Sequence, residues 1–144
     1  MGGQRSFDKG LAGLTSRRAS FVNGRMYSII TEPERNRLTI AFAGRMEQDP
    51  AAFFEELTSA VQRVRERQSA WDLVADFSDT PVMPQDRAQN TIRIFAWFMD
   101  NGLRKGSCVL QSVTQKMQIA RVTERNDAVK FFETREAAER WLDN

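Results

Sequence analysis

Apolar residues along this chain fall into short clusters of two periodicities, and the clearest runs from Trp71 to Leu103. Leu73, Val74, Ala75 and Phe77 form a nearly continuous apolar run, the pattern of a strand covered on both faces. Asp76 interrupts it near its end. Ser78, Asp79 and Thr80 follow, and Pro81 and Pro84 keep the backbone extended, so a loop is predicted there. Beyond Pro84, the residues Ala88, Ile92, Phe95, Met99 and Leu103 recur every three or four positions, which is one face of a helix. Asp86 suits the positive end of that helix. Gly102 can close it in the left-handed conformation, with Leu103 folding back as the hydrophobic contact.

The remaining clusters read as layers built against this unit. Met26 to Ile30 is a strand, Glu32 to Arg37 a turn containing Pro33 and Asn36, and Leu38, Ile40 and Phe42 alternate with Thr39, Ala41 and Ala43. Together they predict an antiparallel hairpin ending at Gly44. Asp49 and Pro50 are a cap and a first helical residue, and Phe53, Leu57, Ala60, Val61 and Val64 make the buried stripe of a helix reaching about Gln68. Arg104-Lys105-Gly106 is read as a turn into a strand over Ser107 to Gln111. Thr114 to Thr123 is a short helix with Met117 and Ala120 on one side, broken at Asn126-Asp127. Val129 to Phe132 is the last strand, and Thr134 caps a closing helix whose Ala138, Trp141 and Leu142 point inward.

The predicted order is β-β-α-β-α-β-α-β-α. This is an α/β single-domain fold: a mixed sheet, antiparallel in its opening hairpin and parallel afterwards, flanked by helices. Residues 26–143 form the domain. Residues 1–25, rich in Gly, Ser and Arg, are expected to be a disordered basic leader. Met1-Gly2 with Ser6 matches an N-myristoylation pattern, and Arg17-Arg18-Ala19-Ser20 a basic-directed phosphorylation site. Both patterns are short and match often by chance.

Composition removes several chemistries. Among 144 residues there is no histidine, which takes away the commonest general base, proton shuttle and metal ligand. One cysteine, Cys108 in an apolar run, allows neither an intrachain disulfide nor a cysteine-based zinc site, and reads as a small buried hydrophobe. No spanning segment or signal peptide is visible, so a reducing, cytoplasmic setting is expected. The pI near 9.0 misleads. Residues 1–25 carry five basic residues against Asp8, a net +4, and the whole chain is +2, which leaves the domain at −2. No basic stripe with stacking aromatics is present, so nucleic acid is not expected as a partner.

With these elements in this order, the chain resembles the STAS domains (sulfate transporter and anti-sigma-factor antagonist), specifically the bacterial SpoIIAA-like branch. The resemblance rests on the hairpin ending Ala41-Phe42-Ala43-Gly44-Arg45-Met46 followed by Asp49, the strand Leu73 to Phe77, and the closing Val129-Lys130-Phe131-Phe132 running into Glu136-Ala137-Ala138-Glu139-Arg140-Trp141-Leu142. It implies a SpoIIAA-like fold over about residues 26–143 and a regulatory or binding role. Signalling members of that family carry a phosphorylatable serine at the start of the helix after the central strand. The matching turn here, Pro84-Gln85-Asp86-Arg87, has no hydroxyl. Asp86 would leave a permanent negative charge there.

Asp76, Asp79 and Asp86 gather carboxylates around one loop at a strand's C-terminal end, where ligands bind in many open α/β sheets. Neither lysine nor histidine in that stretch supplies a second catalytic type, so no enzyme, metal or cofactor is expected. The central helix also bears Ile94, Trp97 and Phe98 off its main face, and so is apolar over most of its girth. Two readings follow. One is a non-enzymatic binding or regulatory module whose contacts are Ser78, Asp79, Thr80, Asp86, Trp97 and Phe98, acting on a protein partner or a second copy in a homodimer. The other is a carrier holding a lipid-like ligand in an apolar pocket beneath the helix, with peripheral membrane contact through the basic leader.

Overall fold

The computed structural model describes residues 27–43, 50–80, 85–123 and 126–144, with the backbone alone at Pro50, Gln85, Asp86, Arg87 and Val122. The leader, Gly44, the Asp49 cap and the prolines at 81 and 84 lie outside that set. The elements are β1 (Tyr27–Glu32), β2 (Arg37–Ala43), α1 (Pro50–Val64), β3 (Trp71–Asp79), α2 (Gln85–Asp100), β4 (Leu103–Val109), α3 (Val113–Val122), β5 (Val129–Phe132) and α4 (Arg135–Asp143). This is the order expected from the sequence.

The five strands lie in chain order, β1-β2-β3-β4-β5, with the first pair antiparallel and the rest parallel. Right-handed crossovers that all step the same way put their helices on one face of the sheet. Accordingly, Phe53, Leu57 and Val61 of α1, Phe98 of α2 and Ile119 of α3 share one core with Ile40, Leu73, Ala75, Phe77 and Cys108 of the sheet. On the opposite face Val74 and Val109 pack against Ala138 and Leu142 of α4.

Ion pairs pin α4 at both ends. Arg135 at its start donates to the Asp76 carboxylate of β3 at 2.8 Å, and Asp143 at its end accepts from Arg37 at 2.6 Å and Arg35 at 3.0 Å. Both charges oppose the helix dipole. Their partners on the sheet side are what place them. Inside the helix, Thr134 caps the N-terminus by accepting from the Ala137 N–H at 3.1 Å, as expected.

The hairpin turn follows the sequence closely. Pro33–Arg35 form a single 3-10 turn and Asn36 takes the left-handed conformation at φ 48°. Its side chain also donates to the carbonyl of Val64 at 2.8 Å and so closes α1, which ends at Val64 rather than Gln68.

Other boundaries differ from expectation for identifiable reasons. Strand β4 begins at Leu103, because Gly102, at φ +95°, reverses the chain at once. Arg104 and Lys105 belong to the strand. Their charges have neighbouring partners: Arg104 forks onto Asp72 of β3 at 3.0 and 2.7 Å, and Lys105 lies 5.0 Å from the centre of the Trp141 ring. Strand β3 continues through Ser78 and Asp79, with Asp79 paired to Ala43 past an irregularity in the register. The buried side of α2 is turned from the Ala88–Met99 face toward Phe98, which meets Trp71 edge-on at 5.1 Å, while Met99 is exposed. In α3 it is Gln115 and Ile119 that are buried, and Met117 faces out.

Candidate functional site

The sequence-derived contacts split into two places. Ser78 is half-buried and turns back on its own strand: its hydroxyl donates to Asp76 Oδ1 at 2.6 Å and its N–H to the same oxygen at 2.9 Å. Burial alone would raise the Asp76 carboxyl. The Ser78 hydroxyl and N–H, together with the Arg135 guanidinium, outweigh it and hold the group below the ordinary carboxylate range. Asp79 is exposed. Thr80 is buried, and its carbonyl, like that of Phe77, accepts from the Gln115 amide, at 2.6 and 3.0 Å. The side chain of Asp86 lies outside the described residues. Among the described residues no group of three His, Cys, Asp or Glu side chains is placed to hold a metal.

Trp97 and Phe98 belong elsewhere. Phe98 is 4% exposed, so it forms no surface patch with Trp97; Trp97 is half-buried and meets Phe54 of α1 edge-on at 5.0 Å. Both line a cavity of about 440 Å³ between α2 and the sheet. Its floor is the alternating set that β2, β3 and β4 turn to this face, notably Ile40, Leu73, Ala75, Phe77 and Cys108. The register sets Ile40 and Cys108 on either side of Ala75, and Phe42 stacks on Phe77 at 4.9 Å. Phe53 and Leu57 wall it from α1, and Ile119 of α3 and Thr123 at that helix's C-cap close the other side. The roof is α2, through Ile94, Phe95 and Phe98.

This lining is almost wholly apolar. Its charged member is Arg93, exposed at the rim, with Asn90 and Thr91 on the same helix supplying polar atoms. Cys108 is buried in the floor with its thiol pushed up to about 12 by desolvation, so it stays protonated and poorly nucleophilic near neutrality. A void of this size falls within the range of small-molecule sites, and its walls offer shape and hydrophobicity rather than acid–base pairs. A dry apolar hollow is also one that water leaves readily.

The position of the cavity has a topological cause. Ligands in doubly wound sheets settle where strand order reverses. Here the order of the described strands never reverses, so they contain no switch point of that kind. Space opens instead between the single helical layer and the sheet. Sequence reasoning noted the apolar girth of α2 but passed over Arg93 and Phe54. A lone arginine flanked by Ile92 and Ile94 was the available signal for the first.

No family model matches the sequence, and no curated protein matches it either. The fold is similar to that of the crystal structure of an uncharacterised protein of the DUF3478 family, described as having a SpoIIAA-like fold, from Shewanella loihica PV-4. The two share 16% identity with a TM-score of 0.62, over 81% of this chain and 93% of that one. The chain therefore has a SpoIIAA-like, STAS-type fold, whose described residues form a mixed five-stranded sheet with four α-helices. Among the described residues, no helix is long and apolar enough to cross a membrane.

Proposed function

We propose that this protein is a non-enzymatic binding module that carries a lipid-like apolar ligand in the cavity beneath α2. The observation that carries the reading is the cavity itself: about 440 Å³ walled by aromatic and aliphatic side chains, where protein interiors are ordinarily close-packed. Natural cores seldom keep a void of that size without use, because every lining atom forgoes its dispersion contacts. The thiol of Cys108, raised and buried, and the absence of a carboxylate among the described lining residues argue for holding a molecule rather than transforming it.

Regulatory contact with a protein partner or a second copy is the other reading, and it has less support. Of the two aromatic residues it relied on, one is buried and the other half-buried. Exposed Met99 and Phe54 remain available on the neighbouring surface, where a peripheral membrane could also be met.

The test is a titration of the purified protein with the neutral fluorescent probe N-phenyl-1-naphthylamine, alongside native mass spectrometry. The expected result is one saturable site per chain with a Kd of roughly 0.1 mM or tighter, as ligand efficiency suggests for a molecule of that size. Absence of saturable binding, or stoichiometric self-association with no retained small molecule, would favour the partner-binding reading.

A further inference from the structure

Taking the apolar-ligand reading as its basis, we infer that the cavity selects a single-chain amphiphile with one anionic head, the tail lying over Ala75 and the head meeting Arg93. Among the described lining residues the charge is asymmetric: one guanidinium at the rim and no carboxylate. Arg93 makes no ion pair with any described residue. Its helical neighbours three and four residues away, Gln89, Asn90, Ala96 and Trp97, are all uncharged. Across the opening, the residues three and four from Phe54 on α1 are Pro50, Ala51, Leu57 and Thr58, again without an acid. A cation poised over an apolar hollow, with no counter-charge among the described residues, leaves its place for an anion brought by the ligand.

Geometry supports the same pairing of head and tail. Floor residues such as Leu73 and Ala75 are buried, whereas Arg93 is exposed, so the hollow runs from a dry end to a wet one. Asn90 lines the same side and can donate a second hydrogen bond to an oxyanion beside the guanidinium. The volume accommodates a tail of roughly a dozen methylene groups, taking about 30 Å³ for each, the share of a liquid water molecule. A bulky two-chain lipid does not fit that space, and a cationic head would meet Arg93 unfavourably.

Three probes with one tail test this below their micelle concentrations: dodecanoate, 1-dodecanol and dodecyltrimethylammonium, each displacing N-phenyl-1-naphthylamine. The anion is expected to bind about five-fold more tightly than the alcohol, and the cation more weakly still, since the pair is partly solvated. Arg93→Gln should bring dodecanoate down to the affinity of the alcohol, and Arg93→Lys should keep the anion ahead. Added salt should narrow the preference in the wild type and leave the alcohol unchanged. Equal affinities for the three probes, or an unchanged order in Arg93→Gln, would overturn the head-group assignment while leaving the carrier standing. If none of the three binds and the neutral probe also fails, the carrier reading itself falls, and this assignment with it.

Discussion

Filling the cavity from its floor distinguishes an open void from a closed one by the sign of a stability change. Ala75 lies on the central strand β3, is 6% exposed, and faces the hollow between Ile40 and Cys108. Ala75→Leu adds three carbons there. At about 0.8 kcal/mol per buried methylene the transfer gain is roughly 2.4 kcal/mol, less about 0.5–1 kcal/mol of lost rotamer freedom. Net stabilisation of about 1–2 kcal/mol is therefore expected. In a filled core the same insertion would cost about 1–3 kcal/mol through displaced neighbours. Urea unfolding followed by tryptophan fluorescence reads the difference, with the midpoint rising and the slope unchanged. The same variant should weaken binding of N-phenyl-1-naphthylamine at least ten-fold. Destabilisation of more than about 1 kcal/mol with probe binding intact would refute the argument, since the hollow would then be neither open nor the site.

Two further outcomes concern the frame around the site. Gly102→Ala should destabilise the protein by more than about 2 kcal/mol, because its φ of +95° disfavours a side chain and an added Cβ would lie 2.3 Å from the Ser69 carbonyl oxygen; a urea midpoint equivalent to a loss under 0.5 kcal/mol would contradict this. Asp76 has a folded pKa below its unfolded one, so its stabilising effect is present above the unfolded value, and it fades as pH falls through the folded value. Asp76→Asn should therefore flatten the acid limb of the stability-versus-pH curve below about pH 4, and identical limbs in both proteins would show that the contacts of Asp76 with Ser78 and Arg135 contribute nothing there.

Much of the architecture was legible from periodicity alone. The order of strands and helices, the Asn36 turn, the Gly102 reversal and the Thr134 cap all rest on local chemistry that a sequence displays. What it hid was set by tertiary partners. Arg104 and Lys105 look like a turn until Asp72 and the Trp141 ring are beside them. The orientation of α2 depended on Phe98 finding Trp71, a contact between residues of similar apolar character that no pattern ranks. A site at the loop end is a question of topology as well as of composition. Carboxylates after a strand suggest a crevice, but whether one forms depends on strand order, which the residues 76–79 do not encode. The hollow beneath α2 was half visible: Ile94, Trp97 and Phe98 signalled more apolar surface than one packing face needs, without saying whether it closes on itself.

The strand order carries a consequence for assembly during synthesis. Each βα segment is laid on the edge its predecessor left open, so no gap must be held for a strand still to come. α4 departs from that scheme. Its first residue grips Asp76 and its last grips Arg37, groups that leave the ribosome far earlier. Until it docks, Val74 and Val109 face water on the reverse of the sheet. This helix is thus a fastening from the far side of β5 back to β2 and β3, and a nick ahead of it would be felt three strands away.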